Sequence, residues 1–428
     1  MTTATTSSQP PTAEAVAAEV NAWLAEHWDP DLTLAAWRDL LADSGWGAPT
    51  WPAQWWGLGL PAAMADVVER EFDRAGAVGP PQGSGMGLAA PTILEHGSDD
   101  LKARLLRPIV TGAHTWCQLF SEPGSGSDLA GLTTHAEREG DEWVVNGQKV
   151  WTTSAHHARY GMLLARTDWD APKHRGITYF AFPMDQPGVE VRPLRQMNGH
   201  ASFNEVFLSD ARVAAADVIG RVGDGWTVAH TTLAHERRLF SGLRGRPASW
   251  GGGRAVREAE REIGDTLEPY KWYPQRAGRP DLVADRARAT GRSRDPVLRQ
   301  EVARLLAMVR AAQWTAQRAR AARALGRPPG PEGSISKLAA SGIARAAART
   351  HALIAGASGM LAGPDAPLDG LITEILVSVP AVSIAGGTDE IQRNIIGDRV
   401  LGLPREAGAD AELPFREVPR NVATPRRG

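Results

Sequence analysis

Three short segments concentrate the groups that can hold a ligand or move a proton. Ser121-Glu122-Pro123-Gly124-Ser125-Gly126-Ser127-Asp128 carries two glycines and three serines in one run. Its backbone N–H groups and hydroxyls can approach a phosphate or the polar edge of a ring closely. Taken alone it reads equally well as a Gly-Ser surface turn. Some 25 residues later Trp151-Thr152-Thr153 closes an apolar run. An aromatic wall and a hydroxyl at a strand end suit a flat conjugated ring, and an ordinary β-sheet tryptophan is the plainer alternative. Near the other end, Ala385-Gly386-Gly387-Thr388-Asp389-Glu390 opens a helical stretch. The glycines permit close backbone approach, and Thr388 is a candidate N-cap whose helix terminus can face an anion or simply be capped. Other conspicuous residues carry less. His156, His157, His230 and His235 lack carboxylate or cysteine partners at metal-ligand spacing, so no metal site is expected. Cys117 has no evident activating base and reads as a packing residue more readily than as a nucleophile.

The elements that must position these segments change type along the chain. Val16, Val20, Trp23, Leu24 and His27 share one helical face, and further helices are expected near 34–43, 61–75 and 99–110. Pro/Gly clusters such as GAPTWP and AVGPPQGSG separate them. From 133 to 208 the pattern is strand-like. Val144–Trp151 reads as a hairpin around Asn146-Gly147, and YGMLLART, RGITYFAF, GVEVRPL and FNEVFL read as further strands of a sandwich or barrel. Helices return from about 224. Leu298, Val302, Leu305, Leu306 and Val309 fall on one face of a helix over 297–325, and 332–360 and 368–402 also read as helical. The Gly-, Pro- and Arg-rich stretch 245–295 reads as a long connection with one helix near 254–268. Residues 1–11 read as a disordered lead and 404–428 as a polar, mobile tail.

Composition bounds the rest. The chain has 428 residues, 43% apolar and 22% charged, which suits a multidomain globular protein. A formal net charge of −2 argues against nucleic acid as the main partner. One cysteine excludes a disulfide framework. The polar start (MTTATTSSQPPTAEA) has no signal-peptide core and no run approaches a membrane span, so a cytoplasmic location is expected. Only five of 47 basic residues are lysine, read here as codon bias.

In order, GWGAPTWPAQWWGLGL, SEPGSGSD, NGQKVWTT, FNEVFL, GDGW and GGTDEIQRNIIGDRVLGLP closely resemble the acyl-CoA dehydrogenase family, from about residue 35 to 404. The resemblance implies an α+β multidomain fold: an N-terminal helical domain (12–115), a middle β-barrel or sandwich domain (116–222) and a C-terminal four-helix bundle (223–403). It implies FAD between the last two domains, with part of the site from a neighbouring subunit. Carried over by position, Gln118, Phe120 and Ser121 line the flavin ring, chiefly through backbone. Ser127 touches flavin phosphate or the pantetheine arm of acyl-CoA. Trp151 covers one flavin face, the Thr153 hydroxyl bonds near N5, and Thr388 and Glu390 meet the FAD phosphate or adenosine region.

The implied reaction is α,β-dehydrogenation of an acyl thioester: a carboxylate takes the α-proton while flavin N5 takes the β-hydride. Burial in an apolar pocket strengthens such a base. Many members carry the base directly before a Gly-Thr pair, where this chain has Gly386. As in isovaleryl-type members, Leu233-Ala234-His235-Glu236-Arg237-Arg238 instead puts Glu236 on the first long C-terminal helix, before an arginine. Glu236 is therefore the expected base, Arg237 the neighbour of the CoA arm, and the Gly386 amide a donor to the enolate oxygen. A surface glutamate paired to an arginine one turn away is the plain alternative. Arg237, Arg238, Arg244, Arg246 and Arg254 read as a solvated face or as contacts to CoA phosphates. Arg292, Arg294 or Arg299 stands in for the usual pyrophosphate arginine, and Ile354–Gly359 for the usual Gln-x-x-Gly-Gly segment. The chain also resembles actinobacterial members, some acting on steroid side-chain CoA esters and some forming heteromeric pairs. The expected partners are acyl-CoA, an electron-transfer flavoprotein or similar acceptor, and further subunits in a homodimer, homotetramer or heterotetramer. The alternatives are desulfinase or monooxygenase chemistry, a carrier-protein-bound acyl group, and a non-catalytic subunit of a heteromeric enzyme.

Overall fold

A computed structural model describes residues 11–325, 330, 332–404, 408, 410 and 412–419, without the side chains of 237–242, 323 and 324. The described residues fall into two compact units, one drawn from Met1–Leu194, Ser202–Pro269 and Asp410–Gly428, the other from Arg195–Ala201 and Tyr270–Ala409.

The first unit begins with helices whose ends are written in the sequence. Thr12 and Thr33 cap α1 (Ala13–His27) and α2 (Leu34–Ser44), accepting from Ala15 N and Ala36 N. Gly45, at φ +81°, ends α2 in the left-handed conformation that glycine tolerates. α1, α2 and α3 (Ala65–Ala75) bury Val16, Val20, Trp37, Leu41 and Phe72 in one cluster. A π-helical turn over Gly85–Ala89 leads into α4 (Ala90–His96), which the sequence did not announce, and then α5 (Asp99–Thr111).

Seven strands follow: β1 (Trp116–Leu119), β2 (His135–Glu139), β3 (Glu142–Thr153), β4 (Tyr160–Arg166), β5 (Ile177–Pro183), β6 (Val189–Leu194) and β7 (Phe203–Ala214). They form one sheet in the order β1-β4-β2-β3-β7-β6, with β5 on β4. β1 runs parallel to β4 and pairs Gln118 with Met162. The inner face packs Cys117, Leu119, Val145, Phe180 and Val206 together.

Asn146-Gly147 is not the turn that its dipeptide suggests. β3 runs straight through it, and the hairpin lies earlier, with Glu139 opposite Glu142 across Gly140-Asp141. Asn146 instead braces a bulge on β7: its Nδ2 donates to Asp210 Oδ1 (3.0 Å) and its Oδ1 accepts from Asp210 N (2.9 Å). Pairing across a wide sheet overrides a local turn preference here, because Val144 and Val145 on one side and Val150 on the other must all stay buried.

α6 (Gly225–Gly242) and α7 (Arg254–Leu267) complete the first unit, together with a return of the chain near its end. The described part of the expected mobile tail is docked: Phe415 N and Arg416 N donate to Ala171 O and Trp169 O, and the Phe415 ring is buried.

The second unit is helical: α8 (Tyr273–Arg276), α9 (Pro280–Ala289), α10 (Pro296–Ala324), α11 (Glu332–Ala355), α12 (Leu371–Ser378) and α13 (Asp389–Arg399). The expected connection 245–295 is thus largely helix, α7 to α9, with Gly264 inside α7 and Pro274 and Pro280 in the first turns of α8 and α9. The expected helix over 368–402 is broken between α12 and α13, where Pro380 and Gly386-Gly387 intervene. α9, α10 and α11 pack through Val283, Leu298, Leu305, Ala347 and Ile354. Leu306, expected on that face, is 50% exposed. Among the described residues no helix is long and apolar enough to cross a membrane.

Candidate active site

The site is built around β1 and the loop that leaves it. Residues 116–120 alternate across the sheet: Cys117 and Leu119 enter the inner cluster, while Trp116 and Phe120 join the cluster that includes α6 residues Val228 and Ala229. Gln118 therefore lies on the α6 side, and its Nε2 donates to Glu236 Oε2 at 3.2 Å. Burial pushes the Cys117 thiol up to about 12, in keeping with a packing role.

α6 is held in rotation by a buried polar cluster. Thr232 Oγ1 lies 2.9 Å from Thr92 Oγ1 and 3.0 Å from Tyr179 OH, and His96 Nε2 lies 2.8 Å from Thr231 Oγ1. Burial drives the Tyr179 phenol upward, so it stays protonated as a hydrogen-bonding group. Val228 and Thr232 are buried, and Glu236 continues their four-residue stripe as a half-buried side chain.

The Gly-Ser loop takes its shape from a residue that spacing did not single out. Glu122 Oε2 accepts from Thr133 N (2.7 Å) and Oγ1 (2.9 Å), and its Oε1 from Thr134 N (2.9 Å) and Lys149 Nζ (2.9 Å). Burial opposes the Glu122 charge, but the Lys149 ammonium and the hydrogen bonds from Lys149, Thr134 and Thr133 outweigh it and hold the carboxyl at about 2. Glu122 and Ser125 close the loop through paired backbone bonds of 3.0 Å, and the Ser125 hydroxyl is spent on Asp128 O (2.6 Å). Gly126 opens onto free space and Ser127 is exposed.

β3 brings Trp151 to this loop. Lys149 Nζ donates to Phe120 O (3.1 Å) and Val150 N to Ser121 O (2.9 Å). The register then shifts between Lys149 and Thr152, leaving Trp151 as the extra residue at φ +63°, with Ser154 following at +55°. Bulges and left-handed non-glycine residues concentrate where a side chain must be re-aimed. Here the indole is turned outward, 57% exposed, against the edge of Phe203. Thr153 is half-buried, whereas Thr152 Oγ1 is buried with no hydrogen-bond partner.

Gly386, Thr388 and Glu390 belong to the second unit. Gly386 and Gly387 take φ +66° and +82°, and Gln392 Nε2 donates to both of their carbonyls at 3.3 Å. Thr388 caps α13, its Oγ1 accepting from Ile391 N. Glu390 is exposed and pairs with Arg393. The unforeseen residue is Asp389. Burial opposes its charge, but Arg345, Ser341 and Lys337 hold its carboxyl far below the usual range, fixing the start of α13.

The side chains of Arg237 and Arg238 lie outside the described residues. Arg244, Arg246 and Arg254 pair with Glu69, Glu260 and Glu258, which favours the solvated-face reading of the basic run. Sequence reasoning missed Glu122 and Lys149 as a pair because they stand 27 residues apart and meet only through the sheet.

Comparison with known proteins gives these features a common origin. The chain matches the N-terminal, middle and C-terminal domains of acyl-CoA dehydrogenases over residues 10–113, 117–211 and 281–401. It is 38% identical to the acyl-CoA dehydrogenase IpdE1 of Mycobacterium tuberculosis (strain ATCC 25618 / H37Rv) over 87% of this chain and 88% of that one. Among solved structures it resembles the Tcur3481-Tcur3483 steroid ACAD (26% identity, TM-score 0.63, covering 93% and 99% of the two chains). It also resembles the ChsE4-ChsE5 complex from Mycobacterium tuberculosis (27% identity, TM-score 0.60, covering 94% and 100%). With three domain matches in order and a relative aligned over most of both chains, the protein belongs to the acyl-CoA dehydrogenase family.

Proposed function

We propose that this protein is an FAD-dependent acyl-CoA dehydrogenase in which the Glu236 carboxylate removes the α-proton of the thioester. The observation that carries the reading is that Glu236 continues the buried stripe of α6 and meets Gln118 at 3.2 Å, beside the strand that feeds the Gly-Ser loop.

The residues around that loop fit a flavin. Open space at Gly126, the exposed Ser127, the outward-turned Trp151 and the orphaned Thr152 hydroxyl together offer a polar edge and an aromatic wall. Phe120, Ser121, Trp151 and Thr153 would hold the ring and Ser127 a phosphate or the pantetheine arm; the assignment of Thr388 and Glu390 to the FAD phosphate or adenosine region carries over from the family resemblance alone. When bound, the flavin supplies the acceptor for the hydride that leaves the β-carbon. Glu236 would take the α-proton onto its carboxylate, and the role of the Gly386 N–H as donor to the thioester oxygen carries over from the family resemblance alone. Arg237 would accompany the CoA arm. An electron-transfer flavoprotein or similar acceptor would then drain the electrons. Association with further copies or a related subunit is supported by the likeness to the ChsE4-ChsE5 complex.

The test is anaerobic mixing of the purified yellow protein with butyryl-, isovaleryl-, octanoyl- and steroid side-chain CoA thioesters. The likeness to a steroid ACAD motivates the last. At least one should bleach the flavin. Glu236→Gln should keep its flavin yet lose bleaching by about 100-fold or more. An unchanged rate in that variant removes Glu236 as base. Failure of every thioester favours oxygen-dependent chemistry or a carrier-bound substrate, and a colourless protein favours a non-catalytic subunit.

A further inference from the structure

A base is useful only if its carboxylate is held where the proton leaves, and the chain contains a residue suited to hold it. Two independent periodicities deliver polar groups to one apolar layer. On β1 the alternation that sends Trp116 and Phe120 toward the helices sends Gln118 there too. On α6 the four-residue stripe of Val228 and Thr232 ends in Glu236. The Gln118 amide is half-buried beside that layer, where reduced access to water favours a polar partner. Its Nε2 reaches Glu236 Oε2 at 3.2 Å.

Both ends of this contact are fixed by other bonds. β1 is paired to β4 on both sides of Gln118, at Cys117–Gly161 and Leu119–Leu163. Thr231 and Thr232, one turn before Glu236, are tied to His96, Thr92 and Tyr179. The amide therefore stands on a rigid strand, and the carboxylate on a helix that cannot turn freely.

We infer that Gln118 is a positioning residue for Glu236: its Nε2–H donates to Oε2 and restricts the carboxylate to rotamers on the β1 side of α6. The inference rests on Glu236 being the base. It also separates two roles within one residue, since the Gln118 backbone belongs to β1 and the approach to the flavin loop, while its side chain serves the base. Proton transfer to carbon is steeply sensitive to placement, so loss of this one hydrogen bond lets the carboxylate sample more unproductive rotamers without losing its place on the helix.

The experiment uses the flavin-loaded protein and whichever panel thioester bleaches it fastest, with Gln118→Leu, Gln118→Glu and Glu236→Gln side by side. In Gln118→Leu the flavin-reduction rate constant at saturation should fall about 10- to 100-fold while the half-saturating concentration stays within about twofold. Flavin content should not change. Deuterium at the substrate α-carbon should slow Gln118→Leu by a larger factor than it slows the parent, because proton removal has become the slow step. Gln118→Glu, of similar size but placing a second carboxyl beside the first, should fall at least as far. An unchanged rate constant and isotope effect in Gln118→Leu overturn the inference while leaving Glu236 in place. So does a parallel loss of binding and rate, or loss of flavin from both Gln118 variants, either of which makes Gln118 a packing residue. Full reduction by Glu236→Gln, or no bleaching of the parent by any thioester, removes the base itself and the inference with it.

Discussion

At the scale of single residues, the loop that gives the family its signature is shaped less by its glycines than by a buried ion pair beneath them. Lys149 has no exposed side-chain surface and Glu122 has 5%. Burial pulls the Lys149 ammonium down, and the neighbouring Glu122 carboxylate works against that loss. Removing one partner strands the other's charge. Glu122→Gln should therefore cost about 3–5 kcal/mol in urea unfolding at pH 7, and adding Lys149→Met should recover much of it. The Glu122 carboxyl sits at about 2 in the folded chain against an ordinary 4.5. A depressed folded value means that the unfolded chain binds more protons, so this stabilisation is complete above about pH 5 and fades as pH falls through 4.5 toward 2. The parent's stability relative to the double variant should fall over that acid window, and a difference that is flat with pH would deny the pair its charged form. The Gly-Ser run was legible from its composition; the pair that shapes it was not, because no local spacing links residue 122 to residue 149.

At the scale of elements, caps and apolar periodicity were read correctly wherever a segment decides its own structure. Thr388, the one N-cap expected, caps α13, and β4 and β5 follow their apolar runs. Reading failed where a partner decides. Asn146-Gly147 has strong turn chemistry, yet it lies within β3 because β7 pairs along both halves of that strand and β2 along its first half. Trp151 was noticed as an aromatic wall, but nothing local shows that a bulge turns it outward. Gly147 marks the tight crossing with the start of β2: a Cβ there would stand 2.4 Å from Thr134 Oγ1 and 2.7 Å from Thr134 Cα. Gly147→Ala should destabilise the protein by about 1–3 kcal/mol, because the obstruction includes backbone that cannot swing away. Thr134 N bonds Glu122, so the same substitution should also loosen flavin retention, measured as flavin released on heating. A variant with the parent's unfolding midpoint and flavin content would mean that the crossing relaxes without cost.

At the scale of the whole chain, the order helices, strands, helices was legible because each class of element has its own period. The placement of residues 412–419 was not. A polar, proline-containing stretch after residue 404 carries no periodic signal, yet Phe415 is buried and its ring lies 3.4 Å from the Arg166 guanidinium carbon. Arg166 is itself buried and donates to Ala130 O (2.7 Å) and Leu132 O (3.2 Å), the carbonyls just after the Gly-Ser loop. Phe415 thus braces the base of the loop through one aromatic face laid over one cation. Phe415→Ala should cost about 3–5 kcal/mol, the usual range for emptying a buried phenylalanine site. Arg416→Ala, which removes an exposed pair with Asp170, should cost under about 1 kcal/mol. Urea unfolding followed by tryptophan fluorescence separates the two, since Trp169 packs on Phe415 at 5.5 Å and should report its loss. Equal, small effects from both substitutions would show that the terminal segment lies on the sheet without holding it, and that Arg166 supports the loop unaided.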